Sequence, residues 1–142
     1  MTFALSKTTT SKLDNFIKDI IKCDIVMGNP PYQDGSENKG KRHTLWTQFV
    51  QKAFEKFLTP NGYLVFIHPS LWRQYGHELL NLMKCKQILY LEIHNSDDGM
   101  KTFRCATRYD WYVLQNIKCS IKTTIKCENN KIYIVNLHPW IF

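Results

Sequence analysis

Short apolar runs set apart by stretches of helical periodicity most constrain what this chain can fold into. Cys23–Met27 is a short run that is apolar but for Asp24, Tyr63–Ile67 is a continuous apolar segment, and Gln87–His94 is a third strand-like run. A strand with one solvated face alternates apolar and polar residues, so an unbroken apolar run of this length points to a strand covered on both sides. Between the first two runs, Leu45/Trp46, Phe49/Val50, Ala53/Phe54 and Phe57/Leu58 return every four residues and predict a helix from Thr44. Thr59-Pro60-Asn61-Gly62 breaks that helix, and residues 77–84 predict another. Upstream, Leu13, Phe16, Ile17, Ile20 and Ile21 line one face of a helix that Ser11 or a nearby threonine could cap. Strand alternating with helix predicts an α/β sheet. After the third strand, Asn95–Lys101 reads as a polar loop and Thr107–Gln115 as a strand. Residues 119–127 and 131–137, around Glu128-Asn129-Asn130, read as a hairpin.

Composition narrows the setting. Apolar residues are 44% and charged residues 22% of 142, a globular balance sized for one domain or a large part of one. The net charge of +7 suits a polyanionic partner, nucleic acid before an acidic membrane. No apolar run approaches the ~18–20 residues that cross a bilayer, and the N-terminus lacks the continuous apolar core of a signal peptide. The five cysteines (23, 85, 105, 119 and 127) form no CxxC and none has zinc-ligand spacing, so reduced thiols and no metal are expected. A cytoplasmic protein follows, in a host cell if the source is viral.

The chemistry concentrates where the first strand stops, at Asn29-Pro30-Pro31-Tyr32. The exocyclic amine of adenine is a poor nucleophile because its lone pair is delocalised into the ring. Two hydrogen-bond acceptors, one for each N–H, draw the nitrogen toward tetrahedral geometry and free that lone pair. The Asn29 side-chain oxygen and the Pro30 carbonyl are such a pair. Prolines fix φ and remove competing N–H groups, which holds the carbonyl direction. Tyr32 next in line can stack on a base flipped out of its helix. The end of a buried strand is where α/β sheets carry their sites. The plainer reading of the same four residues is a strand-ending turn.

Asp24-Ile25-Val26-Met27-Gly28-Asn29-Pro30-Pro31-Tyr32-Gln33 resembles motif IV of the amino-methyltransferases that use S-adenosylmethionine. It is most similar to adenine-specific DNA methylases of type II restriction–modification systems and their viral relatives. The segment from Leu45-Trp46 to Leu58 and on through Asn61–Arg73 resembles the helix and strand that follow the motif there. Phe103–Gln115 resembles the family's later aromatic-plus-strand segment. The resemblance implies the C-terminal, target-base half of a Rossmann-like methyltransferase sheet over residues 1–117, followed by a short β-rich tail, 118–142. That tail could begin a DNA-recognition region. It further implies catalysis by Asn29, Pro30, Pro31 and Tyr32, with the target base held between Tyr32 and Phe103. Phe103 reads equally as a core residue at a strand start.

Such enzymes hold S-adenosylmethionine on a glycine-rich turn, and no Gly-x-Gly occurs here. A cofactor-binding βαβαβ half needs ~80–90 residues, more than precede Asn29. The expectation is therefore a fragment or split half whose partner supplies the cofactor site, acting on double-stranded DNA. Lys39, Lys41 and Arg42 beside the motif, and Arg73 after the second strand, are candidate phosphate contacts, or else ordinary solvated residues. His68 and His94 at strand ends read as structural. Two other functions stay open: methylation of a protein glutamine amide at N5, which uses the same two acceptors, and an inactive nucleic-acid-binding remnant or complementing subunit.

Overall fold

In the computed structural model, which describes residues 22–32 and 45–137, the apolar runs become strands of one six-stranded sheet. The chain runs through β1 (Cys23–Gly28), α1 (Leu45–Lys52), a π-helical turn (Ala53–Phe57), β2 (Leu58–Pro69) and a 3-10 turn (Ser70–Arg73). It continues through α2 (Glu78–Cys85), β3 (Lys86–His94), α3 (Ser96–Phe103), β4 (Tyr109–Lys118), β5 (Thr123–Lys126) and β6 (Ile132–Val135). The strand order is β1-β2-β4-β3-β5-β6. β1 and β2 are parallel, as are β3 and β5, while β4 runs antiparallel to β2 and β3. The predicted helix over 13–21 and the loop carrying Lys39, Lys41 and Arg42 lie outside the described residues.

The reversal at β4 follows from the length of the connection. α3 has eight residues, about 12 Å of helix, so the chain stays at the end of the sheet where β3 finished. Tyr109 at the start of β4 thus faces both His94 and Pro69, the last residues of β3 and β2. The C-terminal ends of β1, β2 and β3 share that end of the sheet.

Period-two alternation builds the core. Leu64, Phe66 and His68 of β2 face Leu114, Tyr112 and Asp110 of β4, all buried. Trp46, Val50 and Ala53 from α1 and the turn after it join Leu79 and Met83 of α2 in the same cluster. Each fully buried aliphatic side chain there contributes about 1.5–3 kcal/mol.

Four expectations change. β1 was expected to be buried, yet Ile25 is 58% and Met27 70% exposed; among the described residues β1 has a strand neighbour, β2, on one side only. Asn95–Lys101 is not a loop: Asn95 caps α3 by accepting from the Asp97 and Asp98 N–H groups, and the Asp98 carboxylate accepts from the Asn95 N–H. This is a capping box with Asp in place of the usual Glu or Gln, which hid it from a pattern search. Phe103 consequently ends a helix and does not begin a strand; Arg104 stops that helix in the left-handed conformation at φ 56°. Finally, Thr59–Gly62 does break the helix but sits inside β2, where residues 58 to 63 oppose only 23 to 25 of β1.

Candidate functional site

The motif leaves β1 at the end of the sheet shared with the starts of α3 and β4. Gly28, paired with Phe66, is the last strand residue, and Asn29 to Tyr32 follow it. Asn29 and Pro31 are exposed, Pro30 is buried and Tyr32 is half-buried against the core. Pro31 restricts the ψ of the buried Pro30 to extended values, and burial holds that ring in place, so the direction of the Pro30 carbonyl is fixed.

Tyr32 heads a continuous run of rings. Its ring meets Phe103 edge-on, with centroids 6.2 Å apart at 76°. Phe103 in turn meets Tyr109 edge-on at 4.9 Å, and Tyr109 stacks flat on His94 at 4.4 Å and 6°. The Tyr109 hydroxyl lies 3.2 Å from Thr102 Oγ1, tying the last turn of α3 to β4. Gly99 makes this packing possible. A Cβ there would collide with the Thr107 carbonyl oxygen, so only glycine lets α3 lie this close to the segment that enters β4.

Burial, and secondarily the neighbouring Tyr109, push the Tyr32 hydroxyl up to about 12. The Asn29 side chain pulls weakly the other way. Among the described residues the buried Tyr32 hydroxyl makes no hydrogen bond of full geometry. The group is therefore a neutral phenol at physiological pH. It contributes a ring face, not a charge.

The residues singled out from sequence separate in space. Asn29 to Tyr32 and Phe103 come together. Arg73 does not present a free guanidinium: its Nε lies 2.8 Å and its Nη2 3.3 Å from the Asp110 carboxylate, which also accepts from Trp72 Nε1 at 2.8 Å. Burial pushes the Asp110 carboxyl up from the usual range, opposed by Arg73 and Trp72. His68 is fully buried between Trp46 and Tyr112, and His94 lies between Glu92 and Asp98 at 3.4 and 3.5 Å. Both serve the scaffold, as expected from sequence. Tyr109, Asp110 and Thr102 escaped the sequence reading, since nothing in TFRCATRYDWY distinguishes residues that hold a site from those of a buried strand. Among the described residues no three His, Cys, Asp or Glu side chains gather as a metal site.

Comparison with known proteins bears on the family and the fold. A family model described as Eco57I restriction-modification methylase matches residues 4–103. No curated protein sequence matches the chain. Among solved structures, the M protein of the type I restriction enzyme EcoKI aligns with a TM-score of 0.57 at 15% identity, over 78% of this chain and 26% of its own. A modification subunit of a putative type I restriction enzyme from Vibrio vulnificus gives 0.56 at 12% identity, over 78% of this chain and 27% of its own. A putative class I S-adenosylmethionine-dependent methyltransferase from Listeria monocytogenes gives 0.51 at 13% identity, over 77% and 38%. The sheet is thus part of a methyltransferase fold, and the chain spans about a quarter to two fifths of the length of these structures.

Proposed function

Because the chain belongs to the Eco57I restriction-modification methylase family, we propose that it forms the target-base half of a DNA adenine-N6 methyltransferase. One observation carries the reading: Asn29-Pro30-Pro31-Tyr32 leaves the C-terminal end of β1 with Tyr32 against Phe103. Asn29 Oδ1 and the Pro30 carbonyl accept the two N–H groups of the adenine amine, and the nitrogen lone pair is released for attack. No strong base is required, because the proton leaves after the nitrogen has become cationic. This accords with His68 and His94 being engaged in the scaffold.

Tyr32 and Phe103 supply the faces that hold the base. A base sandwiched between two parallel rings needs them about 7 Å apart, two contacts of ~3.5 Å. The edge-on pair at 6.2 Å is tighter than that, so base entry turns one ring aside. Flat aromatic surfaces favour a nucleobase over a glutamine amide, which has no comparable face to stack.

S-adenosylmethionine, when bound, supplies an electrophilic methyl group on sulfur. The described residues fit the side of the reaction that prepares the nitrogen. They contain no glycine-rich turn to cradle the cofactor, so in this reading the cofactor is held by a segment other than the described residues, in the same protein or in a second chain. Such an enzyme works on double-stranded DNA inside the cell.

The test is transfer of labelled methyl from S-adenosylmethionine to adenine-containing duplex DNA, by the chain alone and together with the protein encoded beside it. Label on adenine N6 that disappears with Asn29→Ala supports the reading. Label on a protein glutamine instead would replace it with the amide-methylating alternative. Absence of label under both conditions, with DNA still bound, would leave a nucleic-acid-binding remnant.

A further inference from the structure

A second feature opens at the same end of the sheet, beside the aromatic run. It is a cleft of about 450 Å³ between the end of β2 with its 3-10 turn and the segment entering β4. Ser70, Arg73 and Gln74 line one wall, and Thr107 and Arg108 the other. The Ser70 N–H donates to the Arg108 carbonyl at 3.2 Å, which fixes the spacing between the walls.

The two arginines are not equivalent. Arg73 is oriented by Asp110, and its remaining N–H groups have no partner among the described residues. Asp110 is itself buried and does not line the cleft. Arg108 is exposed, and its guanidinium has neither an ion pair nor a hydrogen bond among the described residues. The lining is therefore rich in donors: two guanidinium groups, two hydroxyls and an amide, with no carboxylate among the lining residues, although buried Asp110 offsets the charge of Arg73. Guanidinium N–H pairs match the oxygens of a phosphate, and hydroxyl and amide donors complete such a site. Lys101 and Arg104, in and just after the last turn of α3, are also exposed.

Position connects the cleft to the base site. Arg108 directly precedes Tyr109, which touches Phe103, which meets Tyr32. We propose that this cleft grips a phosphodiester of the DNA strand that presents its base to Tyr32 and Phe103, with Arg73 as the preset cation and Arg108 as the free one. The proposal rests on the reading that the chain acts on DNA. It locates backbone contact here in addition to any made by the loop with Lys39, Lys41 and Arg42.

The experiment is fluorescence anisotropy of the 142-residue chain on a labelled duplex across a salt series. Neutralising one phosphate contact lowers the slope of log K against log salt by about 1. Arg108→Gln is expected to do so, while Arg108→Lys retains most of the slope. Lys118→Gln, at the far end of β4, is expected to leave it unchanged. An Arg108→Gln slope equal to the wild type's, or no duplex binding by the wild type at low salt, overturns the proposal. Competition by inorganic phosphate at matched ionic strength, with the duplex slope indifferent to Arg108, would reassign the cleft to free phosphate and overturn it as well. The methylation reading fails separately, as missing label on adenine while the Arg108 effect on the slope persists.

Discussion

Acid is expected to attack this fold at His68. The ring is fully buried and stacked on Trp46 at 4.5 Å, with Nδ1 3.0 Å from the Pro69 carbonyl and Nε2 3.0 Å from the Tyr112 hydroxyl. A carbonyl can only accept, so Nδ1 carries the proton and Nε2 receives the Tyr112 O–H. A second proton on Nε2 would face that hydroxyl in a site closed to bulk solvent. Burial accordingly pushes the ring down from 6.5 to about 4, helped by nearby His77 and opposed by the Pro69 carbonyl. Between those values the unfolded chain binds the proton and the folded one does not, so stability falls as pH drops through the window. At ~1.4 kcal/mol per pH unit the whole interval is worth roughly 3 kcal/mol, about 2 of it lost by pH 5. The assay is urea denaturation followed by tryptophan fluorescence at pH 7 and pH 5, for the wild type and His68→Gln. Glutamine can donate to Pro69 and accept from Tyr112 but does not titrate. The wild type should lose about 2 kcal/mol more than the variant between the two pH values. Since the comparison is made within each protein, a lower starting stability of the variant does not disturb it. Equal losses would refute the assignment of His68 as a buried neutral ring.

Two further substitutions probe the site's supports. Gly99→Ala drives a methyl into the Thr107 carbonyl oxygen, a backbone atom that cannot swing aside, so a loss of about 2 kcal/mol or more is expected in the urea midpoint, with a changed near-ultraviolet signal from the Tyr32, Phe103 and Tyr109 rings. Tyr32→Phe removes a buried hydroxyl that has no hydrogen-bond partner among the described residues, so thermal stability should stay level or rise by up to about 1 kcal/mol; a clear fall in Tm would reveal a partner for that group.

Much of the architecture was legible along the chain because it depends on local periodicity. The helix at Leu45–Lys52, the strands containing Tyr63–Ile67 and Gln87–His94 and the hairpin around Asn129 all fall where apolar spacing and turn residues predict them. The strand that carries the motif is likewise where a short, largely apolar run meets two prolines, although its exposure was misjudged. Burial depends on which strands become neighbours, and spacing within one strand does not contain that information. α3 was missed for a different reason. Gly99 and two aspartates look like loop chemistry, whereas the helix is secured by a reciprocal cap and by packing on Thr107 that only glycine allows.

By itself the sequence determined the chemistry available: a strand end bearing Asn29 and Pro30 as two acceptors, with Tyr32 beside them. That information survives without a fold because it resides in consecutive residues. Tertiary structure alone decided which residues far along the chain surround them. It set Phe103 edge-on to Tyr32, put Tyr109 and His94 behind it, and bound Arg73 to a carboxylate 37 positions away. Those neighbours arise because α3 keeps the chain at the end of the sheet where β1, β2 and β3 finish, and β4 starts from there. Strand order is a global choice among pairings of similar local energy, so no single stretch of residues encodes it.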